Sequence, residues 1–235
     1  MSSGVGPGVS ERTTFTVIRH GETDWNRQQR FQGQIDVPLN ATGLEQADPL
    51  AEALADEPIE VVIASDLQRA RQTAERAIAV HRESPGRLRQ APLIEPLWRE
   101  QSFGVLEGLD VPTIQREHPD LWARWIRHEA DYALPGGESN VAFFERIGRA
   151  LEATLAAHAG RRVVVFTHGG VLDMLWRRVH RLPLSGPRTC DIPNTGINRL
   201  RWRDGALHIV GWADAWHLEG LPPQPSTSQL KWSAK

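Results

Sequence analysis

At 235 residues the chain is long enough for one sizeable hydrophobic core, and it reads as one domain rather than two. A composition of 40% hydrophobic and 24% charged residues is that of an ordinary globular protein, and a net charge of −2 argues against a general nucleic-acid binder. The single cysteine, Cys190, excludes an internal disulfide framework and cysteine-rich metal sites.

The first 13 residues, rich in Gly and Ser, read as a flexible lead-in without the apolar core of a secretory signal. "TFTVIRH" is a short β-prone run that predicts a buried strand. "NATGLEQADPLAEALA" has Leu44, Ala47, Leu50, Ala51 and Leu54 at helical spacing. Thr42 and Glu45 make a candidate capping box, and Pro49 predicts a kink because it removes a helix hydrogen bond. "IEVVIAS" predicts a second buried strand, "DLQRARQTAERAIAV" the helix after it, and Leu93-Ile94 a short further strand.

The segment 109–135 carries Trp122, Trp125 and Tyr132 among many charges and reads as a small helical insertion. Insertions of this kind commonly lie over the C-terminal edge of a parallel sheet, although packing for stability alone is an equal alternative. A long amphipathic helix from about Ser139 to His158 precedes the strand "RRVVVFTH" and the helix "GGVLDMLWRRVH". "INRLRWRDGALHIVGWA" is a hairpin turning at Asp204-Gly205, and beyond Gly220 the chain reads as a loose tail. The predicted fold is thus a single three-layer α/β/α domain over 14–218. Its sheet is mostly parallel with an antiparallel edge, and the tail spans 219–235.

Several chemistries are absent from the sequence. Neither lysine, Lys231 or Lys235, stands in a phosphate-binding Gly-Lys-Ser/Thr loop, and the residue six after Cys190 is Gly196 rather than the arginine of a cysteine phosphatase. There is no Gly-x-Ser-x-Gly elbow and no His-Glu-x-x-His zinc helix. What remains is histidine and arginine at strand ends. His20 and His168 each close a predicted strand and precede glycine, so neighbouring strands would bring the two imidazoles together at the ligand-binding edge. Gly21, Gly169 and Gly170 read as room for a ligand to approach the backbone, and the helix from Gly169 would aim its N–H groups at an anion. Arg69, in the first turn of a helix whose dipole disfavours it, and Arg19, directly after a strand, fit the same anion. Together these four side chains form a candidate pocket for a dianionic phosphoryl group. A proton donor for the leaving group is offered by Glu95, Glu100 or Glu107, among which periodicity does not choose.

In chain order, "RHGETDWN", "SDLQRARQTA", "LWREQSFGVLEG" and "THGG" resemble the four signature blocks of the histidine phosphatase superfamily, in its branch 1, phosphoglycerate mutase-like group. The resemblance spans roughly Phe15 to Gly211. It implies that His20 is a nucleophile forming a phosphohistidine, that Arg19, Arg69 and His168 hold the phosphoryl group, and that Glu100 is the proton donor. Asn26 and Gln32 match further phosphate contacts, with Thr23 and Gly169 as lesser candidates. Asp24 and Asp173 read as a turn former and a helix-surface residue and are placed outside the site. His20 must be neutral to attack, so its other ring nitrogen is expected to donate to a backbone carbonyl.

No metal and no cofactor are implied. The implied partner is a small phosphorylated metabolite, with neither nucleic acid nor membrane; a cytoplasmic protein is the default, and a homodimer is compatible. "EQSFGVLEG" and the short insertion favour a phosphatase, with a 2,3-bisphosphoglycerate-dependent mutase as the alternative and a non-catalytic phosphate binder behind both. Sugar phosphates, phosphoglycerate derivatives and ribazole phosphate are all compatible substrates. Trp122, Trp125 and Tyr132 are either an aromatic pocket wall or the core of the insertion.

Overall fold

The computed structural model describes residues 13–79 and 91–225. The lead-in up to residue 12, Val80 at the end of the second predicted helix, and the tail from 226 lie outside the described residues.

Six strands form one sheet in the order β3-β2-β4-β1-β5-β6. They are β1 (Thr14–Arg19), β2 (Val61–Ala64), β3 (Leu93–Ile94), β4 (Arg162–Thr167), β5 (Ile197–Arg203) and β6 (Ala206–Asp214). The first four run parallel; β5 and β6 are antiparallel, which makes the predicted antiparallel edge two strands wide. Asp204 and Gly205 turn the hairpin with φ of 52° and 71°, the left-handed pair that a tight two-residue turn requires.

Side chains alternate across the sheet with period two, and each face carries its own helices. Phe15, Val17, Ile63, Val163 and Val165 pack against α6 (Asn140–Ala157) and α7 (Gly169–His180). Ile18, Val62, Ala64, Val164 and Phe166 pack against α2 (Ala41–Leu54) and α3 (Gln68–Ala77). The three-layer architecture is the one predicted.

The predicted N-terminus of α2 is corrected. Its cap is Asn40, whose side chain accepts the Gly43 N–H at 2.8 Å, and Thr42 instead receives Arg27. Leu44 is exposed, and its expected place inside is taken by Gln46, whose Oε1 accepts the Glu22 N–H. The helix continues through Pro49 to Leu54.

The insertion folds as α4 (Val111–Glu117) and α5 (Pro119–Trp125), with Trp122, Ile114, Leu106 and Phe31 in a separate small core. Its base is clasped where Gly104, at φ +52°, presses against Pro135: a Cβ there would lie 2.1 Å from the Pro135 oxygen. The entry to the insertion pairs with the segment after β1, through Phe31 N–H to Leu109 and Gly108 N–H to Phe31. This pairing draws the insertion over the carboxyl ends of β1 and β4. Residues 221–225, expected to be loose, return to the same edge, where Gln224 donates to the Asn194 carbonyl and accepts the Asn194 N–H.

Candidate active site

β1 and β4 are neighbours, with Arg19 in register with Thr167, and the His20 N–H donates to the Thr167 carbonyl at 2.9 Å. The next residue on each strand is therefore a histidine, and the His20 and His168 rings lie 5.2 Å apart between centroids. Both are buried. The hydrophobic runs stop here because the strand ends emerge under the insertion, beside a cavity of about 140 Å³.

His20 Nδ1 lies 2.7 Å from the Gly21 carbonyl oxygen, which can only accept, so Nδ1 carries the proton and Nε2 keeps its lone pair. Burial, followed by the Arg69 and Arg19 charges, holds the His20 pKa well below the usual imidazole range, so the ring is neutral. His168 is held down in the same direction by burial, Arg69 and His20. Its Nε2 is 2.8 Å from Ser65 Oγ, and that oxygen also accepts the Leu67 N–H at 3.3 Å. His168 Nδ1, the other ring nitrogen, is buried and without a protein partner.

Arg69 reaches out of the first turn of α3 and donates to the carbonyls of Ile35 at 2.9 Å and Gly33 at 2.7 Å. Arg19 donates to the Ile192 carbonyl at 2.7 Å. Both are buried, and burial lowers each pKa to about 10, so both remain charged at neutral pH. The Nε of each, together with Gln32 Oε1 and His168 Nδ1, is buried with no partner. Three of these residues, Arg19, Gln32 and Arg69, line the cavity, and such a cluster of bare polar atoms marks a candidate site for a polar ligand. Arg19, Arg30, Arg69 and Arg188 line the cavity against one carboxylate, Glu100, among the described residues. The excess of positive charge selects an anion.

The three glutamates differ in where they lie. Glu95 caps a 3₁₀ turn by accepting the Leu97 N–H, and Glu107 accepts the Gln34 and Phe103 N–H groups and ties the insertion down. Glu100 alone of the three lines the cavity. Its Oε2 accepts the Gly170 N–H at 3.0 Å and its Oε1 accepts the Gln101 N–H at 2.8 Å. The start of α7 therefore grips a carboxylate of the protein, not the ligand as expected. The glycine reading is corrected with it. A Cβ on Gly170 would sit 2.1 Å from Glu100 Oε1, one on Gly21 would sit 2.6 Å from the Gly43 oxygen, and one on Gly169 would meet Ile192 at 3.0 Å. Each glycine makes room for the protein itself.

Arg19, His20, Asn26, Gln32, Arg69 and Glu100 share the cavity wall. His168 is not on that wall; its ring stands beside that of His20, 5.2 Å away between centroids. Thr23 and Gly169 are not on the wall: Thr23 is spent capping the short helix α1 (Asp24–Arg27), where its hydroxyl pairs with Asn26. Trp122 belongs to the insertion core, while Trp125 faces the cavity, so each reading of the aromatic residues holds for a different residue.

The sequence model of the histidine phosphatase superfamily (branch 1) matches residues 15–215. The chain belongs to that superfamily. A metal-independent phosphoserine phosphatase of Arabidopsis thaliana is 36% identical over 215 residues, covering 90% of this chain and 86% of that protein. A probable phosphoglycerate mutase, GpmB, of Escherichia fergusonii is 32% identical, covering 86% of this chain and 94% of that protein. Among solved structures, Bacillus stearothermophilus YhfR superposes with a TM-score of 0.77 at 28% identity, over 88% of this chain and 100% of its own. A mycobacterial glucosyl-3-phosphoglycerate phosphatase in complex with VO3 superposes with a TM-score of 0.72, also at 28% identity, over 87% of this chain and 100% of its own. The chain is an enzyme of this phosphatase and mutase class, and no helix among its described residues is long and apolar enough to cross a membrane.

Within this superfamily fold, several residues at the site escaped the sequence reading, among them Arg188, Asn194 and Pro225. Arg188 lines the cavity from the loop after α7. Asn194 donates from Nδ2 to the His20 carbonyl at 2.9 Å, and the adjacent Thr195 N–H donates to the Arg19 carbonyl at 3.0 Å. Pro225 closes the wall from the tail. Only the proline-rich spacing around Pro187 and Pro193 hinted that this loop is held rather than loose.

Proposed function

We propose that the protein hydrolyses small phosphate monoesters through a phosphohistidine on His20, with Glu100 as proton donor. The observation that carries this reading is a buried, neutral His20 with its Nε2 lone pair free, beside an arginine-lined cavity that has Glu100 on its wall. His20 Nε2 attacks phosphorus, the bond from phosphorus to the ester oxygen breaks, and Glu100 delivers a proton to the leaving alkoxide. Water then attacks the phosphohistidine and gives its proton to Glu100, and inorganic phosphate leaves. Arg19, Arg69 and His168 stabilise the charge on the transferring oxygens, and Asn26 and Gln32 add amide contacts. The domain extends over about 14–218, and we place the protein in the cytoplasm.

The insertion, two helices of seven residues each, is short cover for an intermediate that must be kept from water, which favours hydrolysis over mutase transfer. The test is release of phosphate from p-nitrophenyl phosphate in the presence of EDTA, with vanadate as inhibitor. His20→Ala is expected to lower the rate at least about 10³-fold, because no other nucleophile is within reach. Substantial activity of that variant refutes the nucleophile. Rapid isomerisation of 3-phosphoglycerate with 2,3-bisphosphoglycerate added would move the protein to the mutase class.

A further inference from the structure

A second cavity shares Glu100, Phe103, Trp125 and Arg188 with the first, and His20 is not on its wall. On its wall are Asp173 and His128. Asp173, expected on a helix surface, is in fact 7% exposed. Its Oδ2 accepts Arg177 Nε at 3.0 Å, while Oδ1 is buried with no partner. Arg177 cannot turn to serve Oδ1, because its remaining nitrogens are held by the carbonyls of Pro183, Ser185, Gly186 and Pro187. His128 stands in the left-handed region at φ 51°, its carbonyl accepts the Gly186 N–H, and its Nε2 is also buried without a partner. A buried carboxylate oxygen left bare is destabilising, and a fold that keeps one beside a cavity keeps it for a ligand.

The surroundings specify that ligand. Glu129 and Glu138 stand on the same wall with Glu100 and Asp173, against Arg177 and Arg188. The cavity is therefore rich in acceptors, unlike the cationic one next to it. Burial and the neighbouring Arg177 lower the His128 pKa, so its ring is neutral and adds no positive charge.

In phosphoryl transfer the leaving oxygen lies in line behind phosphorus, opposite the nucleophile, where the proton donor must reach it. Glu100 lines both cavities, so on that mechanism the carbon skeleton of the leaving alcohol is carried towards the second. We infer that this second cavity receives the leaving group, and that Asp173 Oδ1, with His128 on the same wall, selects an alcohol bearing a further hydrogen-bond donor, a hydroxyl or an ammonium. The inference rests on His20 and Glu100 acting as proposed above.

The test compares kcat/KM of the full chain for phosphoethanolamine and glycerol 1-phosphate with that for propyl phosphate, which matches the first in size, shares the three-carbon chain of the second and lacks the donors of both. Phenyl phosphate is the reference for working chemistry. The donor-bearing esters are expected to be preferred by at least about tenfold, the scale of one hydrogen bond to a charged acceptor. Asp173→Asn, which presents an amide donor in place of the acceptor, and His128→Phe are each expected to bring that ratio towards one. Should Asp173→Asn fail to fold, the wild-type ratio and His128→Phe still decide. Turnover of phenyl phosphate with a wild-type ratio near one, or variants that lower all esters equally, overturns the assignment of the second cavity alone. No turnover of any ester, phenyl phosphate included, overturns the phosphatase reading and this inference with it.

Discussion

Two buried histidines held neutral must weaken the fold in mild acid, and the window is well defined. In the unfolded chain His20 and His168 titrate near the ordinary value of 6.5, whereas in the folded protein both are held well below it. Below pH 6.5 the unfolded state therefore binds more protons than the native state, and stability falls as pH falls. It goes on falling until the folded pKa of each ring is reached.

With a native ring that stays neutral, each histidine removes about 1.4 kcal/mol at pH 5.5, or about 2.8 kcal/mol for the pair, relative to pH 7.5 and above. That is a large part of the 5–15 kcal/mol that separates folded from unfolded domains. Asp48, Glu60, Asp66 and Glu138, whose pKa values are lowered by arginine partners or by backbone and side-chain hydrogen bonds, lose their contributions only below their unfolded values near 4. The pH range from 6.5 to 5 therefore isolates histidine. The partly exposed His128 and the buried His217 shift in the same direction, so variants are needed to apportion the slope. Urea unfolding at pH 7.5, 6.5 and 5.5 measures it, and His20→Gln and His168→Gln should each flatten the loss by about 1.4 kcal/mol at pH 5.5. A wild-type stability that is level from pH 7.5 to 5.5, or variants with unchanged slope, would refute neutral burial of the pair.

Two further outcomes follow from contacts at the edge of the site. Gly170→Ala puts a Cβ 2.1 Å from Glu100 Oε1 and 3.0 Å from Phe143, so Glu100, the proposed proton donor, must move. The rate on alkyl phosphates should fall about 10²-fold, with a smaller loss on p-nitrophenyl phosphate, whose leaving group needs less protonation; equal losses on both would argue against Glu100 as the donor. Gln224→Ala removes two hydrogen bonds on Asn194, the residue that holds the His20 carbonyl. A rise in KM of about three- to tenfold with little change in melting temperature is expected, and unchanged KM would show that the tail segment does not support the site.

What could be read from the sequence follows from where physical constraint is local. The runs "TFTVI" and "RRVVVF" are apolar because strands buried on both faces must be, and their abrupt ends at His20 and His168 located the site. Glu100 was not separable from Glu95 and Glu107 on periodicity, since all three lie in irregular backbone whose turns decide the direction of each side chain. Resemblance chose it, and the structure supplies the reason. Asp173 was misplaced because an amphipathic reading assumes that a helix has a wet face. The first two turns of α7 are buried all round, from Gly169 to Leu175, so every position there is interior. Arg188, Asn194 and Gln224 reach the site from loops distant in sequence, and nothing local marks them. The cap of α2 failed for a similar reason: Asn40 and Thr42 are both good capping residues, and the long-range pull of Glu22 on Asn40 settles between them.

The way the arginines are held bears directly on the chemistry. Arg19 and Arg69 are fixed by backbone carbonyls, those of Ile192, Gly33 and Ile35, and not by carboxylates. A carboxylate partner would have set the same geometry while cancelling the charge. A carbonyl orients the guanidinium and leaves its charge for the substrate. The consequence is visible in the two pKa values, lowered to about 10 by burial yet still some three units above neutral pH, so each arginine keeps its proton. The same field that receives a phosphoryl dianion also keeps His20 unprotonated, because Arg69 and Arg19 both disfavour a cation on its ring. On the proposed mechanism, one arrangement thus prepares the nucleophile and the pocket for the charge it attacks, before any substrate arrives.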